Sequence, residues 1–574
     1  MRGRPRNMTQ PSTNPPPADI PIRPRHLRAP QGDGEALIEP SAKTALAVIE
    51  ANQHLDDTVL SDHFAPWLDQ KKIGALRFIE KSALLGEAWE YTSAYRDIDL
   101  PGVDPESKIV LSGHQPELFH PGVWLKNFAL DRIARENEWT VPINLVIDND
   151  VALHTSIRVP TGSRAHPHIE SVAIDAPYDH CAYEERPIVS PEIVRELPRR
   201  LRKLSTPQVW LSRSESLLAD SWSRCLELSP KGAADRPLGE TIARARHRLE
   251  GELGLQTLEL PLSRVTQTYT FRAFSLCLIH HISRFREIYN RSLAEYRVVN
   301  KIRSSSHPVP ALATDGNWLE APYWIWTKDN PQRRRLFVSC GRSPDGRTVL
   351  SLTDLHQVQD ISLLISADGS GAVEQWQYLE ETCGIKIRPR ALITTMYARL
   401  FLSDLFIHGI GGAKYDELTD AIIRRFFGIE PPQYMTVTGT VRLPIPRPDV
   451  SAADVRNVKQ RIREIRFHPE KFVNDASPAI RTAAVEFAAK KADLLRQHQF
   501  QFRGASPEQF RALDDLNRQL SVLLADVEIR LRDEWKATER DCETNRLLGS
   551  REFSFVLHPA DTLPDQLKKM AASS

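Results

Sequence analysis

The stretch Lys108–Asp150, "KIVLSGHQPELFHPGVWLKNFALDRIARENEWTVPINLVIDND", decides how the chain reads. "KIVLSG" is a short β-branched apolar run closed by a Gly-His-Gln-Pro turn. "PGVWLKNFALDRIAREN" places Leu125, Phe128, Ala129 and Ile133 at helical spacing. Pro121 suits its first turn, where a missing N–H has no intrahelical partner to lose. "VPINLVIDND" is a second apolar run. Strand, helix and strand with short joints predict a βαβ unit, and with it a parallel sheet. Gly113, His114 and Gln115 then stand at the carboxyl end of the first strand, and Asp148, Asn149 and Asp150 at that of the second. Ligands of open α/β sheets bind outside those ends, beside helix N-termini whose free N–H groups favour anions.

Working outward, "AKTALAVIEANQHL" and "IGALRFIEKSALLGEAWEYTSAY" read as helices upstream. "HTSIRVP" and "HIESVAID" are extended, the helical period returns between about 190 and 300, and "YWIWTK", "RRRLFVSC" and "TVLSL" are extended again. "ALITTMYARLFLSDLFIHGIGGAKYDELTDAIIRRFFG" reads as two helices broken by a glycine loop. In the last third, Val455, Val458, Ile462 and Ile465 are spaced 3, 4, 3. Leu513, Leu516, Leu520, Leu524, Val527 and Leu531 continue that seam, with charges elsewhere, as a coiled coil requires. A turn near 504–507 would fold the two segments into an antiparallel hairpin, suited to a homodimer contact.

The candidate chemistry concentrates at four places. In the opening stretch, Gly113, His114, Gln115 and His120 share a corner with Lys126, whose side chain leans toward the helix N-terminus and toward any anion there. Its two histidines also fit a plain turn in which they cap backbone groups. Asp148 and Asp150 can serve as a general base, hold a divalent metal or bind ribose hydroxyls; the same Asp-Asn-Asp run also makes an Asx turn. "LFIHGIGGAKYDELTD" is not a Walker A loop, since G-x-x-x-x-G-K-[ST] is absent, but it puts His408, Gly411, Gly412 and Lys414 before a helix, where bare backbone N–H groups can meet an anion. A glycine stop between two helices explains it equally well. "IRPRALITT" carries Arg388 and Arg390, natural clamps for carboxylate or phosphate, beside Thr394 and Thr395. Trp318, Glu320, Tyr323, Trp324 and Trp326 form an aromatic cluster that fits a pocket wall or a core.

Composition limits the classes. The chain has 574 residues, 41% hydrophobic and 26% charged, with a formal net charge of +1. That balance argues against nucleic acid or an anionic membrane as an obligatory partner, because both select a basic excess. No apolar run is long enough to span a bilayer. The Arg- and Pro-rich N-terminus lacks the apolar core of a signal peptide and reads as a disordered arm. Six scattered cysteines without CxxC spacing suit reduced thiols and a cytoplasmic location. No Walker A loop, G-x-S-x-G elbow, HExxH or kinase set is present.

"VLSGHQPELFHPGVWLKNFALDRIA" followed by "VPINLVIDNDVALHTSIRV" resembles the BshC family, the cysteine ligases of bacillithiol biosynthesis. There a strand ends in a Thr-Gly-Gln-Gln turn, a Gly-Pro turn leads into a Lys-containing helix, and the next strand ends in Glu-Asp-His-Asp. Ser112, Gly113, His114 and Gln115 stand at that turn, Lys126 at the helix lysine, and Asp148, Asn149 and Asp150 at the acidic segment. "IRPRALITT" is similar to a Pro-Arg-Ala-Ser strand of the family. His114 replaces a Gln and Asn149 a His, so the substrate is open. The resemblance implies an α/β fold with a Rossmann-like parallel-sheet core, helical insertions and a C-terminal antiparallel coiled-coil hairpin. It also implies ligase-like or transferase activity on a small thiol or amino-acid metabolite, with ATP or another nucleotide and Mg as cofactors. His114, Gln115, Asp148 and Asp150 would be catalytic. Gly113, His120, Lys126, Arg390, His408, Gly411, Gly412 and Lys414 would bind the ligand. The alternative is a non-catalytic scaffold with a vestigial site. The expected divisions are an arm (1–35), a helical leader (36–107), the core (108–445) with its helical insertion at about 190–300, the hairpin (446–548) and a tail (549–574).

Overall fold

The computed structural model describes residues 21–572 apart from 23, 24, 26, 61–63, 65, 66, 68–72, 101–103, 154, 164, 165, 205–221, 225, 227–235, 357, 359, 360, 367, 368, 370 and 498–505. Residues 1–20 of the expected arm, Cys225 and the first part of the expected 504–507 turn lie outside the described residues.

The fold is mixed α/β with a largely parallel central sheet. Its strands are β1 (Glu35–Glu39), β2 (Lys108–His114), β3 (Thr140–Val146), β6 (Leu258–Pro261), β13 (Leu405–His408) and β14 (Tyr434–Thr440). They lie side by side in the order β1-β14-β13-β2-β3-β6. All neighbours run parallel except β1, which pairs antiparallel with β14 at the edge. From β2 the chain order runs outward one way through β3 to β6, and the other way through β13 to β14. The direction of winding therefore reverses between β2 and β13. Ile109, Val110 and Leu111 of β2 are fully buried, as a central parallel strand covered on both faces requires.

The predicted βαβ unit is present: β2, helix Pro121–Glu136, then β3 in parallel register. Pro121 opens the helix, and the imidazole Nδ1 of His120 accepts from the Gly122 N–H at 3.1 Å. Trp124, Leu125, Leu130 and Ile133 are fully buried, because this helix is covered by the sheet on one side and by helix Leu563–Ala572 on the other.

A second, antiparallel sheet is built from β8 (Trp318–Thr327), β9 (Asn330–Arg342), β10 (Thr348–Thr353), β11 (Ile361–Ile365) and β12 (Ile385–Pro389), with the short β7 (Thr314–Asp315) on β8. β4 (Ser156–Ser163) and β5 (His166–Ala173) form a separate hairpin.

Several expected boundaries change. The leader is part of the core: β1 joins the central sheet, and Leu84, Leu85 and Ala88 of helix Ile73–Ser93 are buried in its main apolar cluster. The arm is tied down where described, with Ile22 and Leu27 buried in the same cluster. The helical insertion is interrupted by β6. The expected pair of helices around a glycine loop is instead helix Ala391–Tyr397, one π turn (Ala398–Leu402), strand β13 and helix Ile410–Phe427. The tail is a packed element, since Phe555 stacks on Trp124 with ring centroids 4.2 Å apart and Leu567 is fully buried.

Among the described residues, the expected hairpin region (446–548) holds four α-helices rather than two: Ala452–Phe467, Pro478–Gln497, Pro507–Leu523 and Ala525–Leu548. The first packs on the last and the second on the third. Ile465, Leu520, Leu524, Val527 and Leu531 of the seam share one small core with Phe472 and Val473. Val455, Ile462, Leu513 and Leu516 are only half-buried.

Candidate functional site

A cavity of about 500 Å³ opens at the carboxyl ends of β2, β3 and β13, where the winding reverses, and the second sheet closes over it. Nine of the twelve residues picked from sequence line it: Gly113, His114, Gln115, Lys126, Asp150, Arg390, His408, Gly411 and Gly412. Three do not. His120 is the helix cap described above; burial pushes its imidazole down, and it lies 3.4 Å from Glu552. Lys414 is exposed, one helical turn into Ile410–Phe427. Asp148 faces away, onto Ser263 at the end of β6.

Each lining group is held by its neighbours. Lys126 is buried and donates to the Gly113 carbonyl at 2.6 Å. Burial, reinforced by the Arg246 guanidinium, brings its pKa down to about 7. His114 is neutral: burial, then Arg246 and Lys126, hold it well below the usual histidine range. Its Nδ1 lies 3.0 Å from the Gln115 carbonyl, and its Nε2 is buried without a partner. Asp150 accepts from Gln115 Nε2 at 3.1 Å and pairs with Arg333 at 3.1 Å. Asn149 anchors the same turn to the second sheet by donating to the Pro389 carbonyl at 2.8 Å.

On the opposite wall, the Arg390 and Arg333 guanidiniums lie 4.2 Å and 4.8 Å from the Trp324 ring centroid, a cation–π arrangement. Arg390 also pairs with the buried Glu320 at 2.7 Å. His408 Nε2 meets Asp416 at 2.7 Å, and Asp416 also pairs with Arg399 at 2.6 Å. Burial raises the Asp416 carboxyl, but Arg399 and His408 outweigh it and keep it ionised. The Asp416 carboxylate thereby orients the imidazole.

Helix Ile410–Phe427 starts at this wall. Gly409 is its N-cap, no side chain caps it, and its first turn contains no acidic residue. A side chain at 412 would lie 2.7 Å from His408 Nδ1, so glycine is needed there for the ring to sit where it does. A bare, uncapped helix start facing a cavity is suited to an anion.

Asp148 and Asp150, expected to act together, are separated. Asp148 lines a different polar cavity of about 260 Å³ with Glu184, Glu240 and Lys386. It accepts from the Ser263 N–H at 2.9 Å, and burial with the nearby Glu184 raises its pKa to about 7. The chain leaves β3 at Val146 and turns, so the two carboxylates diverge. They do not fit a shared Mg²⁺. Among the described residues, the one group with metal-like spacing is His247, Glu250 and Glu259. It lies behind the site and already contains the Arg246 guanidinium, which pairs with Glu250 at 2.7 Å and with Glu259. Trp124 and Asn127, on the helix that carries Lys126, also donate to Glu250, at 2.8 and 2.7 Å.

Sequence reading missed Arg333 and Tyr415, which both line the cavity, and this buried ionic cluster. Arg333 sits in a run of three arginines that looks like an exposed strand face. "GLQTLELP" after a helix was the available signal for β6, which carries Glu259. Arg388, the other half of the expected arginine clamp, is buried against Glu184 (3.0 Å) and Glu380 (2.7 Å), away from the cavity. No family model matches the chain, and no curated protein matches it.

Proposed function

We propose that this chain is a ligase-like or transferase enzyme with a Rossmann-like core, acting on a small anionic metabolite. One observation carries the reading. Residues chosen from four separate sequence motifs line one cavity at the reversal point of a parallel sheet, where open α/β folds bind their ligands. The anionic group, a nucleotide phosphate foremost, lies at the uncapped start of helix Ile410–Phe427, with Arg390 opposite. Trp324, Pro389 and Leu392 offer an apolar wall for a base or other flat group. Gln115 and the neutral His114 contact the substrate's polar groups, and His408, oriented by Asp416, transfers a proton. The residues fit a phosphate; for Mg²⁺ the only cavity carboxylate among the described residues is Asp150, already paired with Arg333. The BshC resemblance adds an amino acid or thiol as co-substrate.

The test is a thermal-shift screen of the full chain against ATP with and without Mg²⁺, ADP, amino acids and thiols. A ligand at about 100 times its Kd adds roughly 2.7 kcal/mol to the native state. The expected result is a shift with a nucleotide that shrinks in Arg390→Ala and Gly411→Asp. No shift with any compound overturns the reading.

A second reading, a scaffold whose C-terminal helices bind a second copy, is favoured by Val522 and Ile529, which are 72% and 60% exposed on adjacent helices. Sedimentation analysis decides it: a monomer at all concentrations removes it.

A further inference from the structure

We infer that Lys126 is an amine nucleophile that forms an imine with a small carbonyl compound bearing an anionic group. The inference rests on the cavity being the ligand site and names the chemistry of its floor.

Its surroundings favour amine over ammonium. A lysine that serves as a structural cation or an anion clamp usually has a carboxylate beside it or water around it. Lys126 has neither. It is 4% exposed, its hydrogen-bond partner is the Gly113 carbonyl, and among the described residues it forms no ion pair. The ionised group that acts on it is Arg246, a like charge. With its pKa at about 7, half of Lys126 is free amine at neutral pH. An ordinary lysine near 10.4 is only about 0.04% free amine there, roughly a thousandfold less.

Its position suits attack on a bound carbonyl. The Cδ and Cε atoms run 3.9 and 4.0 Å from where a Cβ on Gly409 would stand, so the amine crosses the gap between the ends of β2 and β13. His408, the residue before Gly409, lines the same cavity with its Nε2 fixed by Asp416. Arg390, with Arg333 beside it, supplies the pole for the compound's carboxylate or phosphate.

The step balances without any redox partner. The amine nitrogen adds to the carbonyl carbon, the π pair moves to oxygen, and His408 exchanges the protons. The carbinolamine then expels its oxygen as water while the nitrogen pair forms the C=N bond. An amine, a carbonyl and one proton delivered through His408 become an iminium and one water.

The experiment uses the full chain with glyoxylate and sodium cyanoborohydride, which delivers hydride to the iminium carbon and fixes the adduct. Sites are read by peptide mass mapping. Expected is labelling of Lys126 at least tenfold above Lys414, with a pH profile half-maximal near 7 on the unmodified sequence and no adduct at position 126 in Lys126→Arg. Labelling of Lys126 no faster than Lys414, or a profile rising only toward pH 10, overturns the imine. A nucleotide-induced thermal shift without an adduct at Lys126 also overturns it, while leaving the ligand-site reading standing.

Discussion

Replacing Lys126 by Met should make the protein more stable, against the usual direction for a buried substitution. The amine falls from its ordinary 10.5 to about 7 in the folded chain. Between those values the unfolded chain binds one more proton than the folded one, so stability rises with pH across that window. Below about pH 7 the whole penalty stands. Some 3.5 pK units at 1.36 kcal/mol each is roughly 5 kcal/mol. Met fills a similar volume, but it leaves the Gly113 carbonyl without its donor, a loss of about 1–3 kcal/mol. The balance is a gain of roughly 2–4 kcal/mol near pH 6, shrinking toward pH 10. Urea unfolding followed by circular dichroism, at several pH values, measures it. A variant less stable than the parent at about pH 6, or a gap that does not change with pH, refutes the reasoning.

Three further outcomes are expected. Gly412→Ala must displace the His408 ring, which lies 2.7 Å from the new carbon, and should cost about 1–3 kcal/mol. Gly411→Ala meets nothing within 4 Å and should be neutral or gain about 0.5–1 kcal/mol, so equal thermal shifts for the pair would contradict the placement of that ring. Arg246→Met leaves Glu250 and Glu259 buried without their cation. A loss of about 3–5 kcal/mol follows, smaller in acid where Glu259, which burial raises to about 7, takes up its proton; a pH-independent loss would speak against the cluster. Asp148 binds its proton more tightly folded than unfolded, so between about pH 4 and 7 it makes stability fall as pH rises. Asp148→Asn should flatten that part of the stability–pH curve, and an unchanged slope would exclude the raised carboxyl.

The sequence was most legible where burial and local chemistry coincide. β2 and β3 are apolar, β-branched runs with a regularly spaced helix between them, and the turn residues at their ends, Asp148 apart, fall into the cavity. β13 and β6 were missed for a physical reason. Each is four residues long, too short for a period to show, and the apolar side chains on either side of "LFIH" merge with helical ones. Missing β13 hid the fact that His408 and its glycines end a strand rather than interrupt two helices. Arg333 was missed because its role depends on a second sheet folding over residues almost two hundred positions earlier. The Asp148–Asp150 pairing failed because two residues beyond a strand end are placed by the turn, which spacing does not specify.

The β2–β13 ladder has a consequence for how the molecule is made. Ser112 bonds to the Ile407 carbonyl across a separation of 295 residues. At synthesis rates of about 5–20 residues per second, β2 waits tens of seconds for its partner. During that interval β2, β3 and β6 present an unfinished sheet with one open apolar edge, the situation in which nascent chains pair wrongly with one another. A fragment that stops just before residue 405 keeps the lysine, the two aspartates and Arg390 but lacks β13 and the start of helix Ile410–Phe427, and should behave as an aggregation-prone half-sheet.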